Sequence, residues 1–174
     1  MQYPLRIYII LCFATASVTA SCNIGATPKC VIMNNTMVQI NDSLSYMGKE
    51  FGDMISTAVT SRDFSILAPV RLHFEQFVDL NSEKLYRMKD VNGSGPMRKA
   101  EMNLLDVEKR MAINDFAPFE KLTSFATYAQ ITTLFDKIKL DSKEEADKMS
   151  IFRREQKMYA KRNGFKLVDQ GQAN

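Results

Sequence analysis

Oxygen-bearing residues recur at alternate positions in one short segment that separates two predicted helices. The segment runs from Asp90 to Glu101 and reads DVNGSGPMRKAE. Side-chain or main-chain oxygens fall at its positions 1, 3, 5, 7 and 12, on Asp90, Asn92, Ser94, the Pro96 carbonyl and Glu101. Calcium takes about six to eight oxygen ligands of these kinds, and a glycine at position 6 allows the sharp turn between them. The sequence therefore predicts that this segment could hold Ca²⁺.

This spacing resembles the calcium loop of the EF-hand, a twelve-residue turn between two helices. The resemblance implies that the five residues named above bind the ion. Two departures weaken the implied binding. Pro96 biases the residue before it, Gly95, towards extended backbone, and Arg98 stands where a small polar or acidic ligand is usual. A simple interhelical turn is the alternative interpretation of the segment.

Catalysis that depends on histidine is out of reach, because the chain contains a single histidine, His73. A Ser-His-Asp triad and a three-histidine zinc site would both need a different inventory. P-loop, Rossmann, nucleophile-elbow and C-x-x-C signatures are also missing from the sequence. The carboxylate pairs Asp106/Glu108 and Glu144/Glu145 lie among basic residues, so we predict that they are surface charges. The sequence favours a protein that is not an enzyme.

Cysteines and sequons are informative in the oxidising compartment that an exported chain enters. Cys22 and Cys30 are the two cysteines that follow the first twenty residues, and they predict one disulfide that closes a small N-terminal loop. Three Asn-x-Ser/Thr triplets, at Asn34, Asn41 and Asn92, predict glycan acceptors on exposed surface.

The first twenty residues carry the features of a secretory signal peptide. Arg6 is followed by the uncharged stretch Ile7–Ala20, which is too short to span a bilayer that needs about twenty residues. Small side chains end at Ala20, the predicted last residue removed. An uncleaved anchor is the alternative. We therefore predict a secreted, extracellular protein with no membrane span in the mature chain.

The mature chain is nearly neutral. Loss of Arg6 leaves 23 − 1 = 22 basic residues against 20 acidic ones, a net charge of +2. This balance predicts no nucleic-acid partner. The last predicted helix is locally basic, through Arg153, Arg154, Lys157, Lys161 and Arg162. Such charge stabilises a helix C-terminus in itself, and a docking patch for an anionic partner or glycan is the other interpretation.

Apolar residues recur at helical spacing along the whole mature chain, which predicts an all-α bundle of four to five amphipathic helices. In the clearest helix, from Met33 to Val59, the apolar residues alternate by four and three. Further helices are predicted over 68–89, 97–113, 119–139 and from about Asp141. Asp141/Glu144 or Ser142/Glu145 would form a capping box for the last of them, and Asn163-Gly164 would end it.

These observations divide the chain into a signal peptide (1–20), a disulfide-closed segment (21–32), a helical domain (33–166) and a flexible tail (167–174). The function predicted first is a secreted, non-enzymatic helical protein that acts by binding or recognition of a protein, glycan or apolar ligand. The alternatives are an EF-hand-like calcium-binding protein, with Ca²⁺ as its one cofactor, and a carrier of an apolar ligand. Methionine lines adaptable grooves, and its abundance, 11 − 1 = 10 in the mature chain, supports the carrier.

Overall fold

The computed structural model describes residues 18–21 and 27–169, with side chains described from 27 to 167. Its helices are α1 (Pro28–Ser61), α2 (Leu67–Arg87), α3 (Gly95–Met111), the single turn α4 (Ala117–Glu120) and α5 (Tyr128–Arg162), with a π-helical turn, Ala112–Phe116, between α3 and α4. Strands β1 (Val18–Ser21) and β2 (Lys166–Asp169) form one short antiparallel pair. The predicted all-α class is confirmed in this part of the chain, with four long helices.

Helix α1 buries one apolar face along most of its length. Its alternating apolar residues are buried as the pattern predicts, with Met54 partly exposed. Phe51 of α1 stacks on Phe116 of the π-helical turn with 4.2 Å between ring centroids, and Phe74 of α2 meets Phe116 edge-on at 5.8 Å. Three separate segments therefore converge on one aromatic cluster.

The predicted break near Asp141 is wrong. Helix α5 continues from Tyr128 to Arg162, and its capping box lies at Thr127 and Gln130. The main-chain N–H of Gln130 donates to Thr127 Oγ1 at 3.3 Å, and the main-chain N–H of Thr127 donates to Gln130 Oε1 at 2.8 Å. Inside the helix, Glu144 pairs with Arg110 of α3 at 2.8 Å. Tertiary contacts thus hold the segment helical where local capping signals favoured a start.

The four long helices run alternately up and down. One end of the bundle therefore collects the start of α1, the α2–α3 loop, the start of α3 and the end of α5. The predicted stop of α5 is confirmed, since Gly164 adopts a left-handed conformation with φ of 69°. Among the described helices, none combines the length and apolar character needed to cross a membrane.

Parts of the N-terminal predictions lie outside the described residues. Residues 1–17 of the predicted signal peptide and Cys22 are among them. The predicted cleavage point after Ala20 falls inside β1, and β1 pairs with a strand that begins at Lys166. A chain cleaved there would keep Ser21 as the only β1 residue.

Candidate functional site

The α2–α3 loop is organised by the carboxylate of Asp90. Asp90 Oδ2 accepts the amide of Gly93 at 3.0 Å, and Oδ1 accepts the amide of Gly95 at 2.6 Å and the hydroxyl of Ser94 at 3.1 Å. Slight burial opposes ionisation, but these hydrogen bonds and the charge of Arg98 lower the pKa of Asp90 below its ordinary value. The Asp90 carboxylate therefore stabilises the turn itself.

The structure gathers only some of the predicted calcium ligands. Asp90 and Ser94 lie together, but Glu101 is buried inside the bundle, where its Oε2 accepts the Asn41 side-chain amide at 3.0 Å. Helix α3 already begins at Gly95, so that Pro96 stands in its first turn. The left-handed residues of the loop are Asn92, with φ of 47°, and Gly93, with φ of 79°.

The loop thus turns at Asn92 and Gly93, before Gly95, the glycine at the sixth position. Pro96, directly after Gly95, favours this arrangement. Within residues 27–167, no three His, Cys, Asp or Glu side chains are grouped so that they could hold a metal ion. Calcium binding by the segment stays a prediction.

Cys30 ties together the three elements at this end of the bundle. Its thiol is buried and forms no disulfide with a described residue. It lies 2.9 Å from Thr27 Oγ1, donates to Asn163 Oδ1 at 3.3 Å and accepts the Asn92 side-chain amide at 3.3 Å. It therefore links the start of α1 to the α2–α3 loop and to the end of α5. Its predicted disulfide partner, Cys22, lies outside the described residues, so that pairing also stays a prediction.

The three sequons differ in accessibility, which corrects the prediction that all lie on exposed surface. Asn92 is exposed and Asn41 is half-buried, but Asn34 is wholly buried. Asn34 Oδ1 accepts the side-chain amide of Gln156 from α5 at 2.9 Å. The prediction failed there because Asn34 lies on the face of α1 that α5 covers, and a sequon carries no information about that contact.

Five exposed cations belong to the segments that meet at this end of the molecule, and we call them the basic end. They come from the start of α1, the loop, the end of α5 and β2: Lys29, Lys89, Lys161, Arg162 and Lys166. Arg162 also donates to the Gly93 carbonyl at 3.0 Å and packs where a side chain on Gly93 would stand. The end of α5 is thereby fixed against the loop.

The predicted anion-docking residues of α5 divide between this end and the helix flank. Lys161 and Arg162 belong to the basic end, and Lys157 lies one turn earlier and is exposed. Arg154 is exposed but pairs with its neighbour Glu155 at 3.1 Å, and Arg153 is half-buried. Lys29 and Lys89 add to this basic segment, and sequence reasoning missed them because they are distant from it along the chain, whereas Lys166 follows Arg162 by only four residues.

The carboxylates predicted as surface charges behave differently from one another. Asp106 and Glu144 are accessible, but Glu108 and Glu145 are buried at 2 % and 8 % exposure, and Glu101 is wholly buried. Burial, opposed in part by the Asn41 hydrogen bond, raises the pKa of Glu101 to about 8. Buried carboxyls without a cation favour the protonated form.

A signal for these buried acids was present in the sequence. Glu101 and Glu108 lie four residues after the buried Met97 and Leu104, at helical core spacing. On α5, Glu145 occupies the third of five positions seven residues apart, in the series Ile131, Ile138, Glu145, Phe152 and Tyr159, and all five are buried. The surrounding charged residues concealed this spacing.

Comparison with known proteins finds no matching family model, no matching curated protein and no matching solved structure. The function proposed for this chain therefore depends on its own sequence and geometry.

Proposed function

We propose that the chain is a secreted, non-enzymatic recognition protein that binds a sulfated glycan through the basic end. One observation carries this proposal: segments that meet at one end of the bundle carry five exposed cations, Lys29, Lys89, Lys161, Arg162 and Lys166. None of these five side chains forms an ion pair within residues 27–167. The fold therefore leaves their positive charge available to an external anion.

The local charge is stronger than the near-neutral whole chain suggests. Asp90 is the acidic residue inside the loop, and its oxygens are already occupied by amide and hydroxyl donors. The starts of α1 and α3 lie at the same end and have no acidic residue in their first turns, so their amide ends add positive potential. The carbonyl ends of α2 and α5 lie at the same end and offset this potential, so the excess positive charge comes from the five basic side chains.

A sulfated glycan fits this surface because it is an extended chain of fixed negative charges in the compartment that the signal-peptide pattern predicts. Lysine-dominated contacts act as point charges on a flexible stem. Binding of this kind weakens as ions screen the charges. Calcium binding and transport of an apolar ligand stay as alternatives from the sequence, without a contact in the described residues that favours either.

The test is chromatography on immobilised heparin with a sodium chloride gradient. The triple variant Lys29→Ala, Lys161→Ala, Lys166→Ala removes three side chains with no hydrogen bond or ion pair among the described contacts, so the fold should persist. We expect it to elute at clearly lower salt than the parent protein. The parent should also be retained less on desulfated heparin.

The matched control removes the same charge from other surfaces, through Lys49→Ala, Lys121→Ala and Lys143→Ala, all exposed. If both triple variants shift equally, retention reports net charge and the basic end is not a binding surface. Secretion is tested separately by N-terminal sequencing of protein from the medium. A chain that begins at Ser21 supports export, and a chain retained in the membrane with its first residues intact contradicts it.

A further inference from the structure

Two glutamates face each other across the packed interface of α3 and α5. Glu108 of α3 and Glu145 of α5 are almost fully buried, and their carboxyl groups hydrogen-bond to each other. Two carboxylates cannot form such a bond, because both would be acceptors, so one group must keep its proton and donate it. The contact between Glu108 and Glu145 therefore requires a bound proton.

Few groups around Glu108 and Glu145 could take the place of that proton. Glu101 lies on the same side of α3 and, once ionised, adds negative charge near Glu108, and Asn41, facing from α1, is neutral and bonded to Glu101. Glu108 Oε2 is buried without a hydrogen-bond partner. An ionised Glu108 would thus stand in the interior beside one or two other acids.

The nearest basic residues have other partners at the surface. Arg110 and Lys148 both approach Glu144, at 2.8 Å and 4.0 Å, and Lys109 pairs with Asp79 of α2. Among the described residues, no cation contributes to the electrostatic environment of Glu108 or Glu145.

We propose that the Glu108–Glu145 pair is a proton-dependent clasp between α3 and α5, closed while Glu108 is protonated and opened when both carboxyls ionise. With Glu145 ionised, the Glu108 hydroxyl donates to the carboxylate, a charge-assisted hydrogen bond. Loss of the second proton leaves two buried negative charges in contact. Water must then enter or the helices must separate, because neither charge has a counter-ion.

The direction of the pH effect follows from the proton uptake of each state. Burial raises the pKa of Glu145 to about 7, from an ordinary value of 4.5. Burial first, and then the neighbouring Glu145, raise the pKa of Glu108 well above its ordinary value. The unfolded chain releases both protons near pH 4.5, so stability is complete below that pH and declines as pH rises through the folded-state pKa values.

For Glu145 alone, the difference of 7 − 4.5 = 2.5 units corresponds to a fall of about 300-fold in the folding equilibrium constant from well below pH 4.5 to well above pH 7. Glu108 extends the fall to more alkaline pH. This proton-dependent contact concerns the conformation of the bundle and goes beyond the proposed glycan recognition.

The experiment compares the parent protein with Glu108→Gln by urea unfolding, followed by circular dichroism, from pH 5 to pH 9. A glutamine amide donates to Glu145 at any pH, so we expect the midpoint of the variant to depend much less on pH above 7. Glu144→Gln, which changes the adjacent half-buried residue and its pair with Arg110, should keep the parental pH dependence. Equal pH dependence of the parent and Glu108→Gln would overturn the proposal.

Hydrogen exchange locates the opening. After correction for the intrinsic effect of pH, peptides from 138–152 in the parent should lose protection between pH 7 and pH 9, and peptides from 67–87 should lose less. If Glu108→Gln does not fold, carboxyl-carbon NMR of the parent decides the question. Titration of the assigned Glu108 and Glu145 signals near or above pH 7 supports the clasp, and titration of either one below about pH 5.5 contradicts it.

Discussion

Replacement of Glu101 by glutamine should stabilise the protein at neutral pH and leave its stability almost unchanged in acid. Glu101 is wholly buried, accepts one hydrogen bond from Asn41 at 3.0 Å and has an Oε1 atom with no partner. Glutamine has the same shape and keeps an oxygen that can accept the Asn41 amide. The substitution therefore removes the ionisable group with little change in packing.

The magnitude follows from the pKa of Glu101, about 8 against an ordinary 4.5. At pH 7 the unfolded carboxyl is ionised and the folded one is still protonated, a difference of 7 − 4.5 = 2.5 units. At about 1.4 kcal/mol per unit, the cost to the free energy of unfolding is about 3 kcal/mol at pH 7 and about 5 kcal/mol above pH 8. Below pH 4.5 the cost vanishes, because both states hold the proton.

The assay is urea denaturation of the parent and Glu101→Gln at pH 4, 5.5, 7 and 8.5. The difference in unfolding free energy should grow with pH, from near zero to several kcal/mol. Glu83→Gln provides the control, since Glu83 lies in an exposed pair with Arg87 and its loss should change stability by less than about 1 kcal/mol at any pH. A difference between parent and Glu101→Gln that stays constant with pH would refute the reasoning.

Three further outcomes test the fold and the sequon and calcium predictions. Thr127→Ala removes the capping box of α5 and should lower the unfolding free energy by about 1 kcal/mol, whereas a neutral effect in urea denaturation would argue against that start. In a eukaryotic secretory host, glycopeptide mass spectrometry should find glycan on the exposed Asn92 and none on the buried Asn34; high occupancy of Asn34 would contradict its burial. Millimolar calcium should leave the melting temperature unchanged, because Asp90 and Glu101 have separate partners. A clear rise in melting temperature would instead support calcium binding by the loop.

Helix α1 and the class of the fold could be predicted because their signals are local. In α1 every third or fourth residue is apolar, and this periodicity alone defines which face is buried. Gly164 could be identified as a helix end for the same reason, since a left-handed residue is a property of the backbone at that position. Neither inference needs knowledge of a partner helix.

Helix α5 shows where local signals fail. Asp141, Ser142 and their following glutamates match a capping box, but these residue types are also acceptable on the surface of a helix interior. The true start, at Thr127 and Gln130, has the same chemical pattern. Sequence alone offers three such starts, and the choice between them depends on the contacts of α5 with α3, such as Arg110 with Glu144.

The same error concealed the burial of Glu145. A helix that begins at Asp141 separates Glu145 from Ile138, so the seven-residue series on α5 is interrupted and Glu145 falls in a charged first turn, where a glutamate is favourable. Only a continuous α5 brings Glu145 opposite Glu108. An apolar side chain at either position would bury without the cost of a carboxyl group, and the neighbours at the same spacing, Ile138 and Phe152, are of that kind. Two acids at core positions therefore lower the stability of the bundle at neutral pH. Because they are buried in contact with each other, the packing of α3 against α5 depends on a bound proton.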